Sequence, residues 1–399
     1  MMNLSTISQT ILAAMIYSMA AMTTAQVTTL EQYQPVLATE AGSLLSIQPQ
    51  SPSAQQSHAA QRYLITYRSR GPNNEPIVSS AFVLIPKGKA PKTGWPVLAW
   101  AHGTTGVADT CAPSNDTVGG PVHDYQATAD RALNEWLSRG YAVVATDYQG
   151  LGTPGGHPYM DGKSQLHSVV DSVRALHAMD AKLFSPTWYV MGHSQGGAAA
   201  LSVAAYGQKD APELNLAGAI ALAPGGYQYA GIAEFVKANP QPDVQVAAFF
   251  PIILLGAEAA DPKLSPDRFV SPDMQSFMLA GRYRCLSELQ SELTTAPKSI
   301  FQSDVDLNPL IDYLKQQSIE NFSPTVPLLV IQGAKDQLVN AQGVDAYVRL
   351  QCQAQKPVRY QTLPQGSHRD ALSQTGSFTA DFIRAIQRGE SVNDCEKMK

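Results

Sequence analysis

The chain reads as an α/β protein: a mostly parallel central sheet, helices on both of its faces, and an inserted helical cap. Three observations carry this. Short apolar runs alternate with segments of helical period, the pattern of parallel strands buried on both faces. The alternation lapses between about residues 227 and 322, a stretch with many prolines and no clear buried strand, and then resumes. The pentapeptide Gly192-His193-Ser194-Gln195-Gly196 lies between an apolar run and a small-residue helix, where a strained strand-to-helix turn is expected.

Residues 1–25 read as a signal peptide. The first 30 residues carry no charged side chain, and Ile11 to Met22 is mostly apolar but too short to span a bilayer. Thr23-Thr24-Ala25 before Gln26 fits a cleavage site, although no Lys or Arg stands near Met1. Export, to the extracellular space or the periplasm, is the expectation. Residues 26–58, rich in Ser, Gln, Thr and Pro, read as an N-terminal arm.

The first part of the core spans residues 59–226. Arg62 to Ser69 and Ser79 to Pro86 read as strands joined by the turn Gly71-Pro72-Asn73-Asn74. Trp95 to Ala101 is a buried strand ending at His102-Gly103. Ala127 to Arg139 has helical spacing and stops at Gly140; Tyr141 to Thr146 is a buried strand ending at Asp147. Gln165 to Ala181 is a helix by its apolar period. Trp188 to Met191, the pentapeptide and the helix from Gly197 to Ala205 follow, and then the strand Ala217 to Ala223.

Residues 227–322 are the cap. Its continuous apolar run, Val246 to Leu255, suits either the cap's own core or a lid that meets an acyl chain or a lipid surface. Residues 323–399 complete the core, with strands over Val326 to Ile331 and Arg359 to Leu363 and a last helix from about Phe378 to Arg388.

Composition narrows the function. Apolar residues make up 44 % and charged residues 15 %, enough for a large core. A net charge of −5 without a basic stripe gives no case for nucleic acid as a partner. The four cysteines, Cys111, Cys285, Cys352 and Cys395, show no CxxC spacing, so a zinc or dithiol redox site is not indicated and no metal is expected. An even count in an exported chain favours two disulfides, with three pairings open.

The chemistry follows from chain order. In a nucleophile-acid-histidine layout the nucleophile Ser194 comes first, and His368 is the one histidine that lies after it. His368 sits in Gln365-Gly366-Ser367-His368, a loop just past a strand, and would take the Ser194 proton and return it to the leaving group. Asp336, at the end of Val330-Ile331-Gln332-Gly333-Ala334-Lys335, would hold the imidazole tautomer; Asp304, Asp306, Asp345 and Asp370 are the rivals. The oxyanion hole needs two backbone N–H groups, assigned to Gln195 and to Thr104 in His102-Gly103-Thr104-Thr105-Gly106. Thr105, Asp147 and Tyr148 are candidates for substrate contact or support of that loop.

His102-Gly103-Thr104-Thr105-Gly106 with Cys111-Ala112-Pro113-Ser114, Asp147-Tyr148-Gln149-Gly150-Leu151-Gly152-Thr153-Pro154 with His157-Pro158-Tyr159, and the Ser194 pentapeptide together resemble the secretory lipase family of α/β-hydrolases, the yeast lipase A-like group. The resemblance runs from about residue 60 to the C-terminus, and the form of the loop at 102–106 is closer to bacterial relatives than to the yeast enzymes. It implies esterase or lipase activity, a helical cap over the site and no cofactor. With the apolar leader and the apolar run of the cap, the expectation is a secreted lipase or carboxylesterase acting on lipid or acylglycerol esters, with transient contact between the cap and a lipid interface. It also implies the pairings Cys111–Cys285 and Cys352–Cys395. A peptidase or other acyl-transfer enzyme on the same triad, and more remotely an inactive hydrolase-like binding protein, are the alternatives.

Overall fold

The computed structural model describes residues 38–238, 244–292 and 295–398. The expected signal peptide and the start of the arm lie outside these residues. Among them, nine strands form one sheet in the order β1-β2-β3-β5-β4-β6-β7-β8-β9. The strands are β1 (Leu44–Gln50), β2 (Ala59–Arg70), β3 (Pro76–Pro86), β4 (Trp95–Ala101), β5 (Ala142–Thr146), β6 (Phe184–His193), β7 (Asn215–Leu222), β8 (Leu328–Gly333) and β9 (Val358–Leu363). β5, β4, β6, β7, β8 and β9 pair in parallel; β1, β2 and β3 add an antiparallel edge.

The inner parallel strands are largely buried, as in the all-buried AVVAT of β5 and LLVIQG of β8, whereas the edge strand β9 is only partly so. Both their faces are covered. Helices α1 (His123–Ser138), α2 (Gly162–Met179) and α3 (Gln195–Asp210) follow β4, β5 and β6. After the cap come α10 (Ala341–Gln353), α11 (Asp370–Ser373) and α12 (Gly376–Gln387). Buried residues of α2, α3 and α10 share one core with the sheet, and those of α1, α11 and α12 share the other. Asp161 sets the start of α2: its carboxylate accepts the Lys163 and Ser164 N–H groups at 3.2 and 2.8 Å.

β1 corrects the reading of residues 26–58 as a plain arm. Leu44-Leu45-Ser46-Ile47-Gln48-Pro49-Gln50 has no clean alternation because it is a half-exposed edge strand, and its order comes from pairing with β2. The turn at 71–74 is present, with Asn74 at φ 65°.

Between β7 and β8 the described residues form short helices joined by loops, with two isolated bridges: Val270 to Phe301 within the cap, and Cys285 to Gly106 of the core. The cap helices are α4 (Gly231–Ala238), α5 (Val244–Ala247), α6 (Phe249–Ala260), α7 (Gln275–Gly281), α8 (Leu286–Glu292) and α9 (Asn308–Gln316). The run Val246 to Leu255 covers the end of α5 and the first part of α6, and Phe250 to Ala257 is buried on all sides, so these side chains fill the cap's own core. α6 rests directly on the core: a Cβ on Gly256 would stand 2.5 Å from Tyr159 Cβ, so only glycine permits this approach. No helix among the described residues is long and apolar enough to cross a membrane.

Candidate active site

The sequence-assigned residues gather at one edge of the sheet, beyond the C-terminal ends of β4, β5, β6, β8 and β9. Loops there converge because parallel strands all point the same way. Ser194 joins β6 to α3 at φ 60°, ψ −114°, a conformation that costs a non-glycine residue about 1–3 kcal/mol and persists only where neighbours enforce it. The Ser194 N–H donates to the Leu222 carbonyl at 2.9 Å, and its own carbonyl accepts from Ala198 and Gly225 at 3.1 and 3.2 Å. The flanking glycines are a steric requirement. A Cβ on Gly192 would stand 2.0 Å from the Gly196 carbonyl oxygen, and one on Gly196 would stand 1.9 Å from that of Ala101.

Asp336 and His368 are brought together. The Asp336 Oδ2 lies 2.7 Å from His368 Nδ1 and also accepts from Gln332 Nε2 at 3.0 Å. Its Oδ1 accepts the Leu338 and Val339 N–H groups, each at 2.8 Å. Burial opposes ionisation of this carboxyl, but the His368 contact and the two amides outweigh it and hold it below its ordinary range. Of the rivals, Asp370 accepts from Ser367, and Asp345 pairs with Arg349.

The His368 main chain is fastened to the strand-to-helix turn that carries Ser194. His193 Nε2 donates to the His368 carbonyl at 3.0 Å, and the two rings lie 4.6 Å apart. Burial, with the neighbouring His368, pushes His193 down to about 3, so it is a neutral spacer. Its Nδ1 faces the Tyr125 hydroxyl at 3.4 Å. No hydrogen bond closes between the Ser194 hydroxyl and His368 among the described residues. In unliganded enzymes such bonds are often long and tighten only with substrate.

The 102–106 loop is held by three tyrosines and the cap. The Gly103 N–H donates to Tyr125 Oη at 2.5 Å, Tyr148 Oη donates to the His102 carbonyl at 3.0 Å, and Tyr159 Oη lies 2.8 Å from Thr104 Oγ1. From the cap, the Leu286 N–H donates to the Thr105 carbonyl at 2.8 Å, and Gly106 forms an antiparallel bridge with Cys285. The disulfide Cys111–Cys285 makes that attachment covalent; Cys352–Cys395 ties α10 to the C-terminal segment. The N–H groups of Thr104 and Gln195 have no acceptor among the described residues.

The supporting candidates have different parts. Tyr148 braces the loop as described. The Thr105 hydroxyl is buried without a partner among the described residues. The Asp147 carboxylate does not reach the loop. It accepts from Ser80 Oγ at 2.7 Å and the Ser114 N–H at 2.8 Å, while its carbonyl meets His102 Nε2 at 3.2 Å. Burial pushes this carboxyl up, with those hydrogen bonds opposing. Sequence alone assigns no role to Tyr125, Tyr159 or His193, and nothing local distinguishes Tyr125 from an ordinary helix residue. No group of three or more His, Cys, Asp or Glu among the described residues is arranged to hold a metal ion.

Comparison with known proteins agrees with this architecture. The chain is 24 % identical over 339 residues to Lipase A of Moesziomyces aphidis, covering 77 % of this chain and 68 % of that one. It is 23 % identical over 307 residues to the Mycobacterium tuberculosis "Probable inactive lipase MT1628", covering 71 % of this chain and 64 % of that protein's length. The solved structure of Candida antarctica lipase A superposes with a TM-score of 0.74 at 19 % identity, covering 89 % of this chain and 84 % of that one. The secretory lipase family model matches residues 122–376, well over half of the sequence, and so the chain belongs to the secretory lipases, a family of lipase-type carboxylic ester hydrolases with the α/β-hydrolase fold.

Proposed function

We propose that this protein is an exported serine ester hydrolase, acting outside the cytoplasm on carboxylic esters of the lipid or acylglycerol class. Ser194 Oγ attacks the ester carbonyl while His368 Nε2 accepts its proton. The carbonyl oxygen becomes an oxyanion received by the Thr104 and Gln195 N–H groups. Collapse breaks the C–O bond to the alcohol, which leaves with the proton from His368. Water, deprotonated by His368, then attacks the acyl-enzyme and restores Ser194. Asp336 keeps the proton on Nδ1 and faces the imidazolium charge throughout. Tyr148 supports the loop directly, Asp147 supports it through its main-chain carbonyl against His102, and Thr105 is the candidate for substrate contact.

The observation that carries this reading is the 2.7 Å Asp336–His368 contact, on a histidine whose main chain is fastened beside the strained serine. The test is Ser194→Ala, assayed on nitrophenyl esters and by fluorophosphonate labelling. Wild type is expected to hydrolyse the ester and take up one label, and the variant to do neither. Full activity in the variant would overturn the assignment. A wild-type protein that neither labels nor turns over would place it with inactive relatives, and faster cleavage of peptide amides than of esters would make it a peptidase. Rates across a triglyceride series above and below the solubility limit separate lipase from soluble esterase.

A further inference from the structure

We propose that His157 is a positioning residue for the oxyanion hole: it fixes Gln195, whose main-chain N–H is one of the two donors, without itself touching substrate. The inference rests on the reading of Ser194 and Gln195 given above. Gln195 opens α3 immediately after the nucleophile, and 2 % of its surface is exposed. Its Nε2 lies 3.0 Å from His157 Nε2. Its Oε1 has no partner among the described residues, so this is the one hydrogen bond that anchors its side chain there.

The geometry fixes who donates. His157 Nδ1 lies 2.9 Å from the Gln149 carbonyl, an acceptor only, so Nδ1 carries the proton and Nε2 accepts from Gln195. Burial pushes His157 down to about 3, which keeps it an acceptor at neutral pH. Gln149 is itself held by Ser164 Oγ at 2.8 Å, in the first turn of α2. The ring is packed between the braces of the opposite wall. Tyr148 stacks at 5.8 Å and Tyr159 meets it edge-on at 6.2 Å. Their hydroxyls reach the His102 carbonyl and the Thr104 hydroxyl. One buried imidazole therefore contacts the supports of both halves of the hole. A mere core histidine would affect how much protein folds, not how fast each folded molecule turns over.

The test compares His157→Ala, His157→Gln, Gln195→Ala and the His157→Ala/Gln195→Ala double variant. Rates are taken on a soluble nitrophenyl ester and normalised to sites titrated with a fluorophosphonate. His157→Ala is expected to lower kcat per titrated site about 10- to 100-fold, less than the loss of an oxyanion donor itself, with KM nearly unchanged. Binding of a trifluoromethyl ketone, which mimics the tetrahedral oxyanion, weakens in the same proportion. His157→Gln, which keeps an acceptor, restores most of the rate. Gln195→Ala reproduces the loss, and the double variant is no worse than either single one. An unchanged kcat per site, a change confined to KM, or additive losses would overturn the proposal. If His157→Ala does not fold, Gln195→Ala and His157→Gln decide it. Should Ser194→Ala stay active, the underlying reading fails; should Ser194→Ala be dead while His157→Ala is unimpaired per site, only this inference fails.

Discussion

Asp336 and His368 leave the ends of neighbouring parallel strands, and each is fixed close to its strand. Asp336 is held by amides two and three residues onward, and His368 by Asp336 and by the residue before the serine. The 102–106 loop also leaves a strand end, yet its fixings come from elsewhere: Tyr125, Tyr148, Tyr159 and the cap around Cys285. The half proposed to handle the proton is thus a local product of the sheet. The half proposed to receive the oxyanion is assembled from distant segments, and the cap is attached to it. Perturbing the first half should abolish turnover, whereas perturbing the second should grade it.

The largest expected effect lies in the sheet half. Asp336→Asn keeps an oxygen for the Leu338 and Val339 amides but turns an NH2 toward His368 Nδ1, forcing the proton onto Nε2, where it cannot accept from serine. We expect kcat to fall about 10,000-fold, with a change in thermal stability of only a few degrees. A loss of less than tenfold would show that Asp336 does not set the tautomer.

The two disulfides test the comparison directly, because one serves each region. Cys111–Cys285 closes a sequence separation of 174 and holds the loop to the cap; Cys352–Cys395 closes 43, between α10 and the C-terminal segment. Chain entropy assigns them similar worth, about 5 and about 4 kcal/mol. Paired Cys→Ala variants should therefore both lower the urea midpoint, but only loss of Cys111–Cys285 should reduce kcat well below the melting range. Equal kcat in the two variants would mean that the covalent tie to the cap does not hold the loop.

The same contrast explains what sequence alone reveals. Strand ends, the strained serine, Asp336 and His368 are legible because each depends on a short apolar run and what immediately follows it. β1 is not, since a half-exposed edge strand with Gln48, Pro49 and Gln50 resembles loop sequence. Nor are Tyr125 and Tyr159, whose partners Gly103 and Thr104 lie 22 and 55 residues away, beyond any periodic pattern. The Asp147 carboxylate is a middle case: the motif marked its importance, but only packing shows it turned toward Ser80 and Ser114.

Acid should loosen both halves through their buried histidines, His193 in one and His157 in the other. Each has its folded value depressed from 6.5 to about 3. The unfolded chain therefore takes up the proton first. The stabilisation is complete above about pH 6.5 and is lost as pH falls toward 3, at up to about 1.4 kcal/mol per pH unit per ring. Asp336, held below its ordinary 3.8, adds its own loss as pH falls below about 3.8. In urea unfolding at pH 7 and pH 5, His157→Gln should lose about 2 kcal/mol less than wild type between the two. An identical pH dependence would mean that His157 is not buried as a neutral ring.

The smallest effect should come from Tyr159→Phe, and it probes the oxyanion half most gently. The ring stays, so its contacts with α6 at Gly256 and with His157 persist; only the 2.8 Å link to Thr104 Oγ1 is lost. One neutral hydrogen bond is worth about 1 kcal/mol, so kcat should fall about 3- to 10-fold with stability lowered by a similar energy. Combining Tyr159→Phe with loss of Cys111–Cys285 distinguishes two pictures of the loop. If tyrosine and cap brace it jointly, the second change costs more once the first is made, because each brace had been limiting the motion the other leaves free. Strict additivity in kcat would mean that Thr104 and the Thr105–Gly106 end move independently, and that the cap holds only the latter.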